Sequence, residues 1–254
     1  MRRFFVLIFC IALASVNTLA QEDKGDGLLF RITRNEMKTP SYIIGSFHLV
    51  DGKEVHRLGA FDSIYKQVSQ VCFETEMDKT PSSVSTQAKS PTSFEAMDYY
   101  IYDEAVKDKK KIFHLESIAV QDSILRKMKE SQKTQAQSLK NKVGKDSTQQ
   151  ISQEEYYQQL RKLREQIFHL RKLYMQGQCR ELLSELSTTS QSESTVDKKV
   201  DVRNEAWLRK MPGIMRKGST LFVVGIAHVL PYKNSAGLLA GLQKMGYRVE
   251  KVKL

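Results

Sequence analysis

An α+β fold, with helices packed on a mixed sheet, is predicted by three observations on the 254-residue sequence. Short runs rich in β-branched and aromatic residues alternate with segments of helical period. Several of those strands are apolar throughout, so the sheet they form needs cover on at least one face. The strands Tyr42–Ile44 and Phe222–Val224 are each followed by Gly-x-x-His, which predicts a pair of strand-end loops at one rim of the sheet.

The chain opens Met1-Arg2-Arg3, runs almost without a polar atom from Phe4 to Leu13, and then places small residues at Thr18 and Ala20. That is a secretory signal, residues 1–20, cleaved after Ala20, and it predicts export to a periplasm or to the exterior. The apolar run is too short to span a bilayer and polar Ser15, Asn17 and Gln21 follow it, so no stable membrane span is expected after cleavage. Residues 21–254 suit a single domain, with a helical insertion at about 118–187. The net charge of +11 comes from Lys and Arg spread along the middle of the chain, which reads as a solvated basic surface and not as a nucleic-acid motif. The mature segment keeps Cys72 and Cys179. Two cysteines make no disulfide framework, and Cys72 lies in an apolar run that suits a buried thiol.

Gly27–Ile32 and Ser41–Ile44 read as a hairpin across the polar turn 33–40. Leu58, Phe61, Ile64, Tyr65 and Val68 have helical spacing, and Val71–Thr75 reads as a buried strand. The segment 78–91, rich in Ser, Thr, Lys and Pro, is a loop, Phe94–Val106 a helix and Lys111–Leu115 a strand. Good helix formers then dominate to about Ser187. Within them Tyr156, Leu160, Leu163, Ile167, Leu170 and Tyr174 alternate steps of four and three, predicting a helix packed on the core. Gly177 suits a helix stop, Arg180–Leu186 a second helix, and the polar stretch 187–199 a linker or surface loop. A helix at Asn204–Met215, a strand at Thr220–Val224, a helix at Ala236–Met245 and a strand at Tyr247–Val252 complete the chain.

The chemistry-bearing residues cluster at the ends of these strands. In each Gly-x-x-His copy the glycine is expected to let the chain turn as it leaves the sheet, and His48 and His228 then arrive where open α/β sheets hold ligands. Glu74 sits among apolar neighbours in a strand, where an unpaired charge is costly, so it needs a partner: a lysine, a backbone donor, a metal ion or a catalytic proton. Glu76 shares its face by the two-residue period, and Glu116 closes another strand. His114 is expected to pack or lie at the surface and not to ligate, and His56 and His169 are expected in helical or loop surface with no matching partner.

Together these residues resemble the TraB/GumN family, which includes the Tiki-type metalloproteases. The resemblance rests on Gly45–His48, Glu74, Leu115-Glu116, Tyr174-Met175-Gln176-Gly177, Arg203-Asn204, Gly225–His228 and the closing Gly246-Tyr247-Arg248-Val249. It implies a metal-dependent hydrolase of peptide or similar amide bonds, with His48, His228 and Glu74 holding a divalent metal ion that activates water. Glu74 or Glu116 would be the general base, Asn204 would orient a ligand or an oxyanion, and Arg203 would clamp a carboxylate. The two histidines do not share a His-Glu-x-x-His helix. A non-catalytic protein holding a small ligand or peptide in the same crevice, and a metal-free esterase-like hydrolase, use the same residues.

Overall fold

The computed structural model describes residues 27–77, 94–121, 123, 126, 153–189 and 195–253. The segment 1–20 expected to be a signal, the segment 78–91 expected to be a loop and most of the stretch from 122 to 152 lie outside the described residues.

Among the described residues six strands form one mixed sheet: β1 (Leu29–Thr33), β2 (Ser41–Ser46), β3 (Gln70–Thr75), β4 (Lys111–Glu116), β5 (Thr220–Gly225) and β6 (Arg248–Lys251). Their spatial order is β4-β3-β5-β2-β1-β6. The expected hairpin pairs Leu29 with Ile44, and β1 is antiparallel to both β2 and β6. Strands β2, β5, β3 and β4 are parallel, so their carboxyl ends share one edge. The register there sets Ser46 opposite Gly225 and Thr75 opposite Glu116. Leu221, Phe222, Val223 and Val224 are all fully buried. Successive strand residues point to opposite faces, so both faces of β5 are covered.

The cover is helical. A 3-10 turn (Gly52–Arg57) leads to α1 (Phe61–Gln67), and α2 (Met97–Lys107) joins β3 to β4. Between β4 and β5 lie α3 (Gln153–Met175), α4 (Cys179–Thr189) and α5 (Thr195–Met215). The four-residue α6 (Ile226–Val229) follows β5 directly, and α7 (Gly237–Lys244) precedes β6. In α5, Val200, Asn204, Trp207, Met211 and Ile214 are buried at steps of four and three, one stripe of an amphipathic helix. That stripe packs on β4 and α7. None of the described helices is long and apolar enough to cross a membrane. Cys72 and Cys179 are both buried and form no disulfide with each other.

Two expectations fail in instructive places. The stretch 187–199 is not all linker, since α4 continues to Thr189 and α5 already begins at Thr195. The seam of α3 is also not core along its length. Tyr156, Leu160 and Leu163 are 54, 42 and 52 % exposed, and only Leu173 and Tyr174 are buried. The helix docks by its last turn. There the Tyr174 hydroxyl donates to the Gly45 carbonyl at 2.7 Å, and its ring lies 5.6 Å from that of Phe47. Gly177, at φ +70°, ends the turn in the left-handed region that favours glycine. Tyr174→Phe should therefore cost about 1–2 kcal/mol in denaturant unfolding, with an unchanged m-value, by leaving the Gly45 carbonyl short of a donor. A loss below the error of the measurement would show that the hydroxyl is not what ties α3 to β2.

Candidate functional site

The shared edge of the parallel strands gathers the charged residues singled out in the sequence. Glu74 comes from the end of β3, Glu116 from the end of β4, His228 from α6 just beyond β5, and Arg203 and Asn204 from α5. Arg203 is the centre. Its Nε and Nη2 donate to the two oxygens of Glu116 at 3.1 and 2.7 Å, a two-point fork. The same Nη2 reaches Glu74 Oε2 at 2.9 Å, and Nη1 lies 3.0 Å from His228 Nε2. Beneath it the guanidinium carbon sits 4.6 Å from the centroid of the Trp207 ring, one helical turn further along α5.

The remaining bonds fix the orientation of each group. Glu74 Oε1 accepts the Gly225 amide at 2.6 Å. Trp207 Nε1 donates to Glu116 Oε2 at 3.2 Å, and the Lys210 ammonium donates to the Leu115 carbonyl, so α5 is stitched to the end of β4. Guanidinium nitrogens can only donate, so His228 Nε2 must accept, which leaves Nδ1–H to donate to Asn204 Oδ1 at 2.8 Å. The Asn204 amide nitrogen in turn faces the His228 carbonyl and Ser235 Oγ, each at 3.3 Å. One neutral tautomer satisfies every bond.

Electrostatics agree with that arrangement. Burial, reinforced by the Arg203 charge and opposed by Glu74, pushes the His228 pKa down to about 4. Burial works to raise the pKa of Glu74, but the His228 ring where it is protonated, the Arg203 guanidinium and the Gly225 amide outweigh it, so the carboxyl stays below its ordinary range. A depressed histidine pKa means that the folded state holds fewer protons than the unfolded one. Stability credited to neutral His228 is thus full above pH 6.5 and lost as pH falls from about 6.5 towards 4. A proton NMR titration should find the His228 ring titrating near pH 4; a midpoint above 6 would refute this.

His48 sits apart from this cluster. It lies in the turn after β2, its side chain is 69 % exposed, and Nδ1 pairs with Asp98 on α2 at 3.2 Å. Burial and the Glu74 charge push the Asp98 pKa up, while His48 works against them. Two expectations are corrected here. The two Gly-x-x-His segments are not equivalent loops, because His228 is carried on a helix and buried while His48 is exposed in a turn. Neither glycine serves a left-handed turn either. A side chain at Gly45 would meet Ile226 Cδ1 at 2.2 Å, and one at Gly225 would stand 3.2 Å from Glu74 Oε1, so both permit close approach.

The metal-dependent hydrolase is also corrected, and with it the divalent metal cofactor. Among the described residues no group of three or more His, Cys, Asp and Glu side chains is arranged to hold a metal ion. The physical reason is Arg203. Its guanidinium already bonds Glu74 and His228, two of the three expected ligands, and the third, His48, is turned to Asp98. Glu76 is exposed beyond the end of β3, and His114 is half-buried within β4. His56 and His169 do have partners, Asp62 and Glu185. Asp98 and Trp207 were missed in the sequence. The cue for Trp207 was there, as the one tryptophan of the chain, four residues beyond Arg203 on a helix.

No match was found among curated proteins or solved structures. The model of the TraB/PrgY/gumN family matches residues 81–251, a span that holds Glu116, Arg203, Asn204 and His228 and begins after His48 and Glu74. On that match, the chain belongs to the TraB/PrgY/gumN family.

Proposed function

We propose that the chain is a binding protein that holds a small ligand or a peptide at the edge where β2, β5, β3 and β4 end, without turning it over. The observation that carries this reading is the engagement of every Arg203 nitrogen by its neighbours. Each of its nitrogens is engaged by Glu116, Glu74 or His228, so the strongest polar groups of the edge are bonded to one another in a fixed floor. Glu74 is held ionised below its ordinary range, which suits an acceptor better than a proton-shuttling base. At this edge Glu74, Arg203 and His48 meet solvent, with side chains 21, 17 and 69 % exposed. A ligand would be read there by hydrogen bonds. The charged, apolar and small-residue order of positions 1–20 supports an exported setting.

The test is calorimetric titration of the purified protein with a panel of synthetic tetrapeptides differing in terminal charge, with and without a chelator, and mass spectrometry of the mixtures afterwards. Saturable binding that the chelator leaves unchanged, weakened about tenfold by His48→Ala, with intact peptide recovered, is the expected result. Steady accumulation of cleaved peptide that slows in Glu74→Gln would overturn the binding reading in favour of a metal-free hydrolase. Failure of every peptide to bind a folded protein would overturn its peptide form.

A further inference from the structure

A second cavity, of about 200 Å³, opens between α1, α2 and the 3-10 turn. Its walls are aromatic: Phe61 and Tyr65 stack at 5.8 Å between ring centroids, and Tyr100 stands across from them, its hydroxyl 2.9 Å from His56 Nε2. Its rim is acidic, with Asp62, Glu104 and Asp108 against one lysine, Lys66. Asp62 is engaged by His56 Nδ1 at 2.6 Å and Glu104 by the exposed Lys107 at 3.4 Å. The Tyr65 hydroxyl is the odd group. Tyr65 is 9 % exposed, and its oxygen, shut off from solvent, has the Asp108 carboxylate as neighbour but lies in no well-formed hydrogen bond.

We propose that this cavity binds a small organic cation, an alkylammonium group, between the rings of Phe61, Tyr65 and Tyr100 and the carboxylates of Glu104 and Asp108. Aromatic faces attract a cation through their quadrupole, and the effect grows when the cation is partly desolvated, as it is inside a walled pocket. The Tyr65 ring already carries one: the Lys110 ammonium lies 4.6 Å from its centroid and donates to the Val68 carbonyl. Lys110 does not line the cavity, so that cation does not fill it. An ammonium with methyl or methylene groups matches both halves of the lining, since its carbon surface meets the rings while its charge meets the acids. The buried phenol oxygen of Tyr65 adds an acceptor for an N–H.

The test compares choline with its uncharged isostere 3,3-dimethylbutan-1-ol, titrated into the full chain and followed by saturation-transfer NMR and by the tyrosine ring resonances. Choline should bind saturably, and the isostere at least fivefold more weakly. Glu104→Gln with Asp108→Asn should weaken choline by a similar factor while leaving the circular dichroism spectrum and the thermal midpoint unchanged. Asp108 is exposed and Glu104 partly so, and both changes keep the side-chain shape, so folding should survive. Tyr65→Phe keeps the ring, and should spare choline while weakening n-butylammonium, which has N–H groups to donate. Equal binding of choline and isostere, or binding indifferent to the acidic substitutions, would overturn the proposal, as would the absence of choline binding to the folded protein.

Discussion

Arg203→Met should destabilise the protein by about 3–5 kcal/mol at pH 7, because it removes the cation from a partly buried ion cluster and leaves its carboxylates facing each other. Methionine keeps most of the length and apolar body, so the loss is chiefly electrostatic. Glu116, whose side chain is 5 % exposed, would lose a two-point partner and keep the Trp207 N–H, while Glu74 would keep the Gly225 amide. The pH dependence gives the signature. In the parent, the Glu74 pKa is lowered by folding, so its contribution is present above the unfolded value near 4.5 and lost as pH falls through the lower folded value. With the guanidinium gone, burial is less opposed and the Glu74 pKa rises, so the variant should regain ground on protonation. The gap between parent and variant in urea unfolding should therefore shrink from pH 7 to pH 4. Adding Glu74→Gln to the variant should close part of it at pH 7. A difference under 1 kcal/mol at pH 7, or one that widens in acid, would mean that the cluster is solvated and not the rigid floor described above.

The sheet was readable because its signals are local. Apolar runs such as Val71–Thr75 and Thr220–Val224 became β3 and β5 with one end of each displaced by a residue, and the turn at 33–40 joined β1 to β2 as expected. Adjacency was partly readable too, since similar strand–glycine segments at the two ends of the chain proved to be neighbours in parallel register. What failed depends on partners that no window of sequence contains. The Tyr156–Tyr174 seam has the period of a packed helix, but period reports a stripe and not what covers it, and half of the stripe, Tyr156, Leu160 and Leu163, faces solvent. The polar composition of 187–199 reports exposure to water; Ser, Thr and Asp are moderate helix residues, and helices enter the stretch from both sides. The site went the same way. Glu74 was correctly expected to need a partner, but the choice between a metal and an arginine was made by α5, which packs on β4 and carries Arg203 between the two carboxylates. Nothing in the pair Arg203-Asn204 alone says that one residue serves the carboxylates and the other the histidine.

Trp207→Ala should be comparably severe, at about 3–5 kcal/mol, for a different reason: it empties the largest fully buried side chain of the core and removes the surface on which the cluster rests. The indole is 1 % exposed, its ring centroid lies 4.4 Å from that of His228, and its N–H reaches Glu116. Trp207→Phe separates volume from hydrogen bond. It keeps an aromatic face under Arg203 but deprives Glu116 of a donor, so a smaller loss of about 1–2 kcal/mol is expected. Because Trp207 is the sole tryptophan, fluorescence of the parent reports on this site without labelling. Emission should be blue-shifted in the native state, move to the red on unfolding, and respond to a ligand bound at the strand edge. If the phenylalanine variant were as unstable as the alanine one, the bond to Glu116 would matter more than the packing of the indole. If both variants kept the parent's stability, α5 would not be anchored through Trp207 at all, and the placement of Arg203 would need another cause.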